Sequence, residues 1–211
     1  INDAMMWMHG GIRDQLSHMN RELKSAAPGV KISGQMMHCG YFSKNRKLQR
    51  LKRPLGPSRQ FNILGAAAGM PFAGAMSVAD IDYFVQTYHD AALLMKDTGF
   101  DALEIHFSHG YGLSQFISPK TNRRTDDYGG TLENRMRFPL EVFAAVRAAW
   151  PKQKPISVRV SATDWLGDAG TTPQDTVVFA RALRELGCDL IDASSAGNVP
   201  ESKPDYGRMY Q

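Results

Sequence analysis

The chain of 211 residues is 43% hydrophobic and 22% charged, with a formal net charge of +4. These are ordinary proportions for a globular protein, and so mild a positive balance, with no aromatics interleaved among the basic residues, argues against a nucleic-acid partner. No apolar run approaches the roughly 18 residues of a membrane helix, and no secretion pattern opens the chain, so a cytoplasmic, non-membrane location is expected. Cys39 and Cys188 are the only cysteines; with no CxxC spacing, a reduced pair is expected rather than a disulfide.

In chain order, the first helical pattern runs from Ala4 to Ala26 and is closed by Pro28-Gly29. A strand follows at Val30–Met36. The basic block Lys44, Arg46, Lys47, Arg50, Lys52 and Arg53 reads as a solvated loop, or as a lure for a phosphate-bearing partner such as NADPH or a CoA ester. Gly65–Ala75 is small and apolar, either a mobile loop over a site or a packed connector. Ser77-x-x-Asp80 starts a helix that continues to Thr98 and stops at Gly99. Ala102–His106 is a second strand. Asn122–Tyr128 is polar and turn-rich, a structured loop more than a catalytic one. Thr131 opens a helix that ends near Trp150, before Pro151. A third strand spans Pro155–Ser161. Thr172 caps a helix with Pro173 at its first position and Asp175 in its first turn, ending at Gly187. A fourth strand spans Asp189–Ser194. Alternation of this kind implies a parallel sheet with crossover helices, an α/β fold.

The strands alternate, whereas parallel strands buried on both faces usually read as continuous apolar runs. Ser33 and Gln35 share one face, as do Glu104 and His106; Ser157, Arg159 and Ser161; and Asp192 and Ser194. The other faces carry Ile32, Leu103, Ile105, Ile156, Val158, Val160, Ile191 and Ala193. A polar inner face is costly unless its groups pair or meet a polar ligand. Glu104 and Asp192 read as members of an internal ion network. Arg159, late in its strand, reads as a ligand residue.

The densest chemistry lies where the second strand runs out, in ALEIHFSHGYGLSQFISPKTNRRTDDYGGTLENR from Ala102 to Arg135. His106, His109 and Tyr111 stand together there. Two imidazoles and a phenol can hold a substrate oxygen and manage a proton. The i, i+3 histidines also allow a zinc pair, with His38 as a candidate third ligand, in a metal-dependent barrel hydrolase. Satisfied core histidines are a third reading.

The block from Glu104 to Phe138 resembles the old yellow enzyme family of FMN-dependent ene-reductases and NADH:flavin oxidoreductases. Val158–Asp164 (VRVSATD) and Asp189–Gly197 (DLIDASSAG) are similar to two further strands of that family. Gly34–Tyr41 (GQMMHCGY) is similar to its Gln-x-x-His-Ala-Gly-Arg segment, with Cys39 and Tyr41 departing from the pattern. Closing KPDYGRMYQ is similar to reductase modules fused to aromatic acyl-CoA monooxygenases.

The resemblance implies a (β/α)8 TIM barrel, of which residues 1–211 form one partial FMN-binding domain with about four parallel strands. A full barrel takes about 250 residues and eight strands, with its phosphate site after strands seven and eight. The 211 residues alone are therefore expected to bind FMN poorly and to be inactive. In the family's terms Gln35 would bind the polar edge of the flavin ring and Arg159 its N1–C2 oxygen side, with His106 and Ser194 also at the cofactor. His106 and His109 would donate to the carbonyl oxygen of an α,β-unsaturated substrate, and Tyr111 would supply a proton. NADH or NADPH would be the reductant. Homo-oligomerisation and fusion to other redox domains are both compatible with the chain, and an inactive fragment is the remaining alternative.

Overall fold

The computed structural model describes Met6, residues 8–44 and residues 53–204. A short 3-10 turn at Gly10–Ile12, with the His9 ring accepting from the Gly11 N–H, leads into α1 (Arg13–Ala26). The helix therefore does not reach back to Ala4 as the sequence suggested. Met8 and His9 are not helical, and the Gly10-Gly11 pair pays the entropy cost that glycine brings to a helix. Residues 1–5 lie outside the described residues.

After α1 come β1 (Ser33–Met36), β2 (Leu55–Gly56), β3 (Gln60–Phe61) and β4 (Phe72–Ala75). Then follow α2 (Val78–Asp97), β5 (Ala102–Phe107), α3 (Gly112–Ile117), α4 (Leu132–Ala149), β6 (Ile156–Ser161), α5 (Pro173–Glu185) and β7 (Leu190–Ser194). The main sheet has the order β1-β5-β6-β7, and every pairing is parallel. With its helices it is a partial α/β barrel. The four expected strands are all present, each slightly shorter than its sequence pattern or, for β5, one residue longer.

Side-chain alternation sorts the sheet faces as the sequence implied. Leu103, Ile105, Ile156 and Val158 are fully buried and join Phe143, Val146 and Trp150 in one apolar cluster. Edge strand β7 is less complete: Ile191 is half-buried and Ala193 exposed. The caps form where the sequence put them. Ser77 and Asp80 exchange side-chain and backbone bonds at the start of α2, and Thr172 and Asp175 do so at α5. Thr131 Oγ1 accepts from Asn134 N at α4. Each such cap is worth about 1 kcal/mol.

A second, three-stranded sheet has the order β2-β4-β3. The Gly65–Ala75 segment contributes β4 to it, with Met70 and Ala73 buried, so it is a packed connector. Asn122–Tyr128 binds this small sheet to the barrel. The Arg124 guanidinium donates to Pro57 O (3.1 Å) and Met76 O (2.5 Å) and pairs with Asp126, while Arg123 N donates to Ser58 Oγ at 2.8 Å. Of the basic block, Arg46, Lys47, Arg50 and Lys52 lie outside the described residues. Neither Cys39 nor Cys188 is in a disulfide. Among the described residues no helix is long and apolar enough to cross a membrane.

Candidate active site

Register fixes the inner face. Gln35 stands beside Glu104, and Glu104 beside Ser157. One step toward the strand C-termini, His106 stands beside Arg159 and Arg159 beside Asp192; beyond them Ser161 stands beside Ser194. The first row satisfies itself: Gln35 Nε2 donates to Glu104 Oε1 at 2.6 Å, and Ser157 Oγ to Glu104 Oε2 at 3.0 Å. In the second, Arg159 Nε lies 3.3 Å from Asp192 Oδ2. Asp192 is thus ion-paired as the sequence suggested, whereas the hydrogen-bond partners of Glu104 among the described residues are the neutral Gln35 and Ser157. Arg159 Nε is buried and makes no hydrogen bond among the described residues, which leaves the guanidinium only partly engaged by them.

His106, His109 and Tyr111 come together above these rows. The His106 ring centroid is 5.3 Å from that of His109 and 5.2 Å from that of Tyr111, edge-on to both. His106 is buried, and its Nδ1 accepts the Ser108 N–H at 3.1 Å. An imidazole nitrogen that accepts carries no proton, so the neutral ring carries its hydrogen on Nε2. Burial, then the charges of His109 and Arg159, lower its pKa to about 4. Burial also lowers His109, with Arg159 adding to the shift and Asp192 opposing it. Both imidazoles are neutral at pH 7. Tyr111, at the N-cap of α3, is pushed up by burial and stays a protonated phenol.

His109 is held tightly. Its backbone is left-handed at φ 56°, a conformation sparsely populated outside glycine. Its N–H donates to Ser161 Oγ at 2.8 Å. Its Nδ1 lies 3.2 Å from Ser108 Oγ and its Nε2 2.6 Å from Ser194 Oγ. Both ring nitrogens therefore face serine hydroxyls. A direct N–H from His109 to a ligand oxygen requires Ser194 to turn away.

The loop after β5 rests on the loop after β7. Gly110 and Gly197 have φ of 72° and 91°, and a Cβ on Gly110 would stand 2.1 Å from the Gly197 carbonyl oxygen. Asn198 ties the second loop down: its Nδ2 donates to the fully buried Asp164, and its carbonyl accepts from Tyr41 Oη at 2.8 Å. Asp164 Oδ2 also accepts from Ser118 Oγ (2.6 Å) and Thr171 N (2.8 Å). Tyr41, which departs from the family pattern, is thus a buried structural anchor. Sequence reasoning missed Ser108, Asp164 and Asn198. Ser108 carried a signal, since it sits between two histidines; the other two gave none.

His38 is apart from the trio, its Nδ1 accepting from Gly40 N at 3.3 Å and its ring 4.2 Å from Phe84. Among the described residues no group of three or more His, Cys, Asp or Glu could hold a metal. The zinc-pair reading therefore lacks a third ligand there.

The model for the NADH:flavin oxidoreductase / NADH oxidase family matches residues 2–205. The chain belongs to that family. It is 39% identical over 186 residues to an NADPH dehydrogenase of Clostridium acetobutylicum, covering 88% of this chain and 51% of that one. Among solved structures, morphinone reductase in complex with tetrahydroNAD superposes with a TM-score of 0.75 at 26% identity, over 92% of this chain and 56% of that one. An Old Yellow Enzyme from Pichia sp. AKU4542 gives 0.74 at 26% identity, over 88% and 52%. The chain spans about half the length of the curated relatives it matches. Family membership and the partial barrel agree with the expectation drawn from the block after β5.

Proposed function

We propose that the protein containing this chain is an FMN-dependent oxidoreductase that uses NADH or NADPH to reduce activated C=C bonds of small α,β-unsaturated carbonyl compounds. The observation that carries this reading is the fixed tautomer of His106. Its Nδ1 is occupied by the Ser108 N–H, so its Nε2–H is a preorganised neutral donor.

The residues present fit the cofactor. Arg159 offers a half-engaged cation on the inner face, suited to the oxygen-rich edge of a flavin. Gln35 offers an amide whose described bonds use only Nε2. His106 lies between them on β5, and Ser194 lies beyond Arg159 at the end of β7. When bound, FMN would supply hydride to the substrate β-carbon. Negative charge then grows on the substrate oxygen, and the His106–His109 pair stabilises it. A preorganised donor of this kind contributes roughly 3–4 kcal/mol to the transition state. Tyr111, a protonated phenol 5.2 Å ring-to-ring from His106, would give the α-carbon its proton.

The test uses the full-length protein and separates its two half-reactions by stopped flow. Replacing His106 and His109 together with Ala should slow alkene reduction by a hundredfold or more while flavin reduction by NAD(P)H changes little. Equal slowing of both half-reactions refutes the assignment. Protein that purifies colourless, with stoichiometric zinc, supports a metal-dependent hydrolase instead.

A further inference from the structure

Three non-glycine residues among those described have a left-handed backbone: His109 at φ 56°, Trp165 at 58° and Ala196 at 62°. A side chain disfavours that conformation, so neighbouring contacts must hold such residues in place. Two of the three share one hydroxyl. Ser161 is buried at the end of β6, and its Oγ lies 2.8 Å from the His109 backbone nitrogen and 2.7 Å from the Ala196 carbonyl oxygen. An amide N–H can only donate and a carbonyl can only accept. The hydroxyl therefore accepts from His109 and donates to Ala196, and no second arrangement makes both bonds. Its own place is fixed by the sheet: Ser161 stands beside Ser194, and the next N–H, that of Ala162, donates to Ser194 O at 2.8 Å. One strand end thus holds the loop after β5 and the loop after β7. Ser157, on the same face four residues earlier, bonds instead to β5 alone, at Leu103 O and Glu104 Oε2.

We infer that Ser161 is a positioning residue: its one hydroxyl couples the two left-handed turns and so places the His109 imidazole at the substrate oxygen. The role of that oxygen rests on the function proposed above; the coupling of the turns does not. His109 is held from two directions, and both lead back to Ser161. Its backbone N–H bonds to Ser161 directly. Its ring Nε2 lies 2.6 Å from Ser194 Oγ, and two residues later the chain is tied to Ser161 through the Ala196 carbonyl. Removing the hydroxyl takes a partner from one backbone group in each turn, and each strained turn loses a contact that offsets its strain. The imidazole is then free to shift with its backbone, and a small displacement of a group that must meet a reacting atom is costly in rate.

The experiment uses the full-length holoprotein and two readouts. Peptide-resolved hydrogen exchange follows residues 108–112 and 195–199, with α4 as the reference. Ser161→Ala should speed exchange in both turns about three- to tenfold, the scale of one neutral hydrogen bond each. Single-turnover oxidation of the reduced enzyme by cyclohex-2-enone should slow about tenfold. Ser161→Thr keeps the hydroxyl on a residue that strands favour, and it should restore both readouts. In a His109→Ala background, Ser161→Ala should slow the reaction by less than about twofold, because no imidazole remains to be placed. A serine that only supports the fold would slow both backgrounds alike, and that result overturns the inference. So does faster exchange in one turn or in neither, or a threonine variant no better than the alanine one. If both turns loosen but the wild type leaves cyclohex-2-enone unreduced, the proposed function fails and the coupling through Ser161 stands. If the wild type reduces the enone and Ser161→Ala matches its rate, the function stands and the positioning role fails.

Discussion

The contact between Gly110 and Gly197 can be tested against a built-in control. Gly29, past the end of α1, has φ 87° and nothing within 4 Å of the place a Cβ would occupy. Gly29→Ala therefore reports only the cost of holding alanine in the left-handed region, about 1–2 kcal/mol. Gly110→Ala incurs that cost, because its φ is 72°, and adds a collision. The new Cβ would lie 2.1 Å from the Gly197 oxygen, which is 3.0 minus 2.1, or 0.9 Å, inside the closest approach real Cβ atoms show. The obstacle is backbone, so no rotamer change relieves it. Overpacking of this kind costs a further 1–3 kcal/mol or so. Urea unfolding of the full-length variants, monitored by a probe in this region, should give a loss of about 2–5 kcal/mol for Gly110→Ala against about 1–2 for Gly29→Ala. The clash also reaches the site. Gly197 itself packs so closely on His109 that a Cβ there would stand 2.5 Å from its Cα, so displacing the Gly197 loop moves the His109 backbone. Gly110→Ala should slow alkene reduction, and Gly29→Ala should not. Equal destabilisation by the two variants would mean that the loops part freely, and the account of how His109 is held would be wrong.

Two further outcomes follow from the described contacts. Burial lowers His106 and His38 to about 4, below the ordinary value near 6.5. The unfolded chain therefore binds protons that the native protein refuses between those values. Stability should be insensitive to these groups above about pH 6.5 and should fall as pH drops from there toward 4, by at most about 1.4 kcal/mol per pH unit per imidazole. Denaturation midpoints between pH 7.5 and 5 for wild type and His38→Gln check this, and a variant slope as steep as wild type would discount His38. Arg124→Lys should cost about 1–3 kcal/mol, since one ammonium cannot reach Asp126 and the Pro57 and Met76 carbonyls together; faster proteolysis within residues 53–76 is the readout, and unchanged cleavage would deny Arg124 its latching role.

Much of the main sheet was legible because its strands are not buried on both faces alike. Glu104, His106, Arg159 and Asp192 interrupt the apolar runs at period two, and that interruption marks both the strand and the inner face. The helices after Ser77, Thr131 and Thr172 were legible because capping chemistry is local. The small sheet was not. Leu55–Gly56 and Gln60–Phe61 are two residues each, too short for any alternation, and the turn between them is held by Arg123 and Arg124 from far along the chain. Helix α3 was hidden for the opposite reason. All six of its residues are buried, so Gly112–Ile117 has no polar face to reveal a helical period. The histidines and Tyr111 could be found by their chemistry. The serines that orient them could not, because a serine's hydrogen-bond partners depend on which loop crosses it.

The charge state of the imidazoles and their hydrogen-bond geometry have a common origin in the sheet. Only a neutral imidazole can accept at Nδ1 and donate at Nε2 at once, and the Ser108 N–H demands that form of His106. The strand register sets Arg159 directly beside His106 and Asp192 beside Arg159. Burial already disfavours a second cation there, and the guanidinium disfavours it further. Asp192 pulls the other way on both histidines, but its carboxylate is paired with Arg159 at 3.3 Å, which blunts its call for a proton. One row of the sheet thus favours the neutral form, while the next row, through Ser161 and Ser194, holds His109 and the loop after β5, through the Ser108 N–H, orients His106. Neutrality without orientation would leave His106 free to flip its donor away, and orientation without neutrality would leave Nδ1 protonated against an N–H. Two neighbouring rows of one parallel sheet and the loop that follows β5 meet both requirements together, where β5, β6 and β7 end side by side.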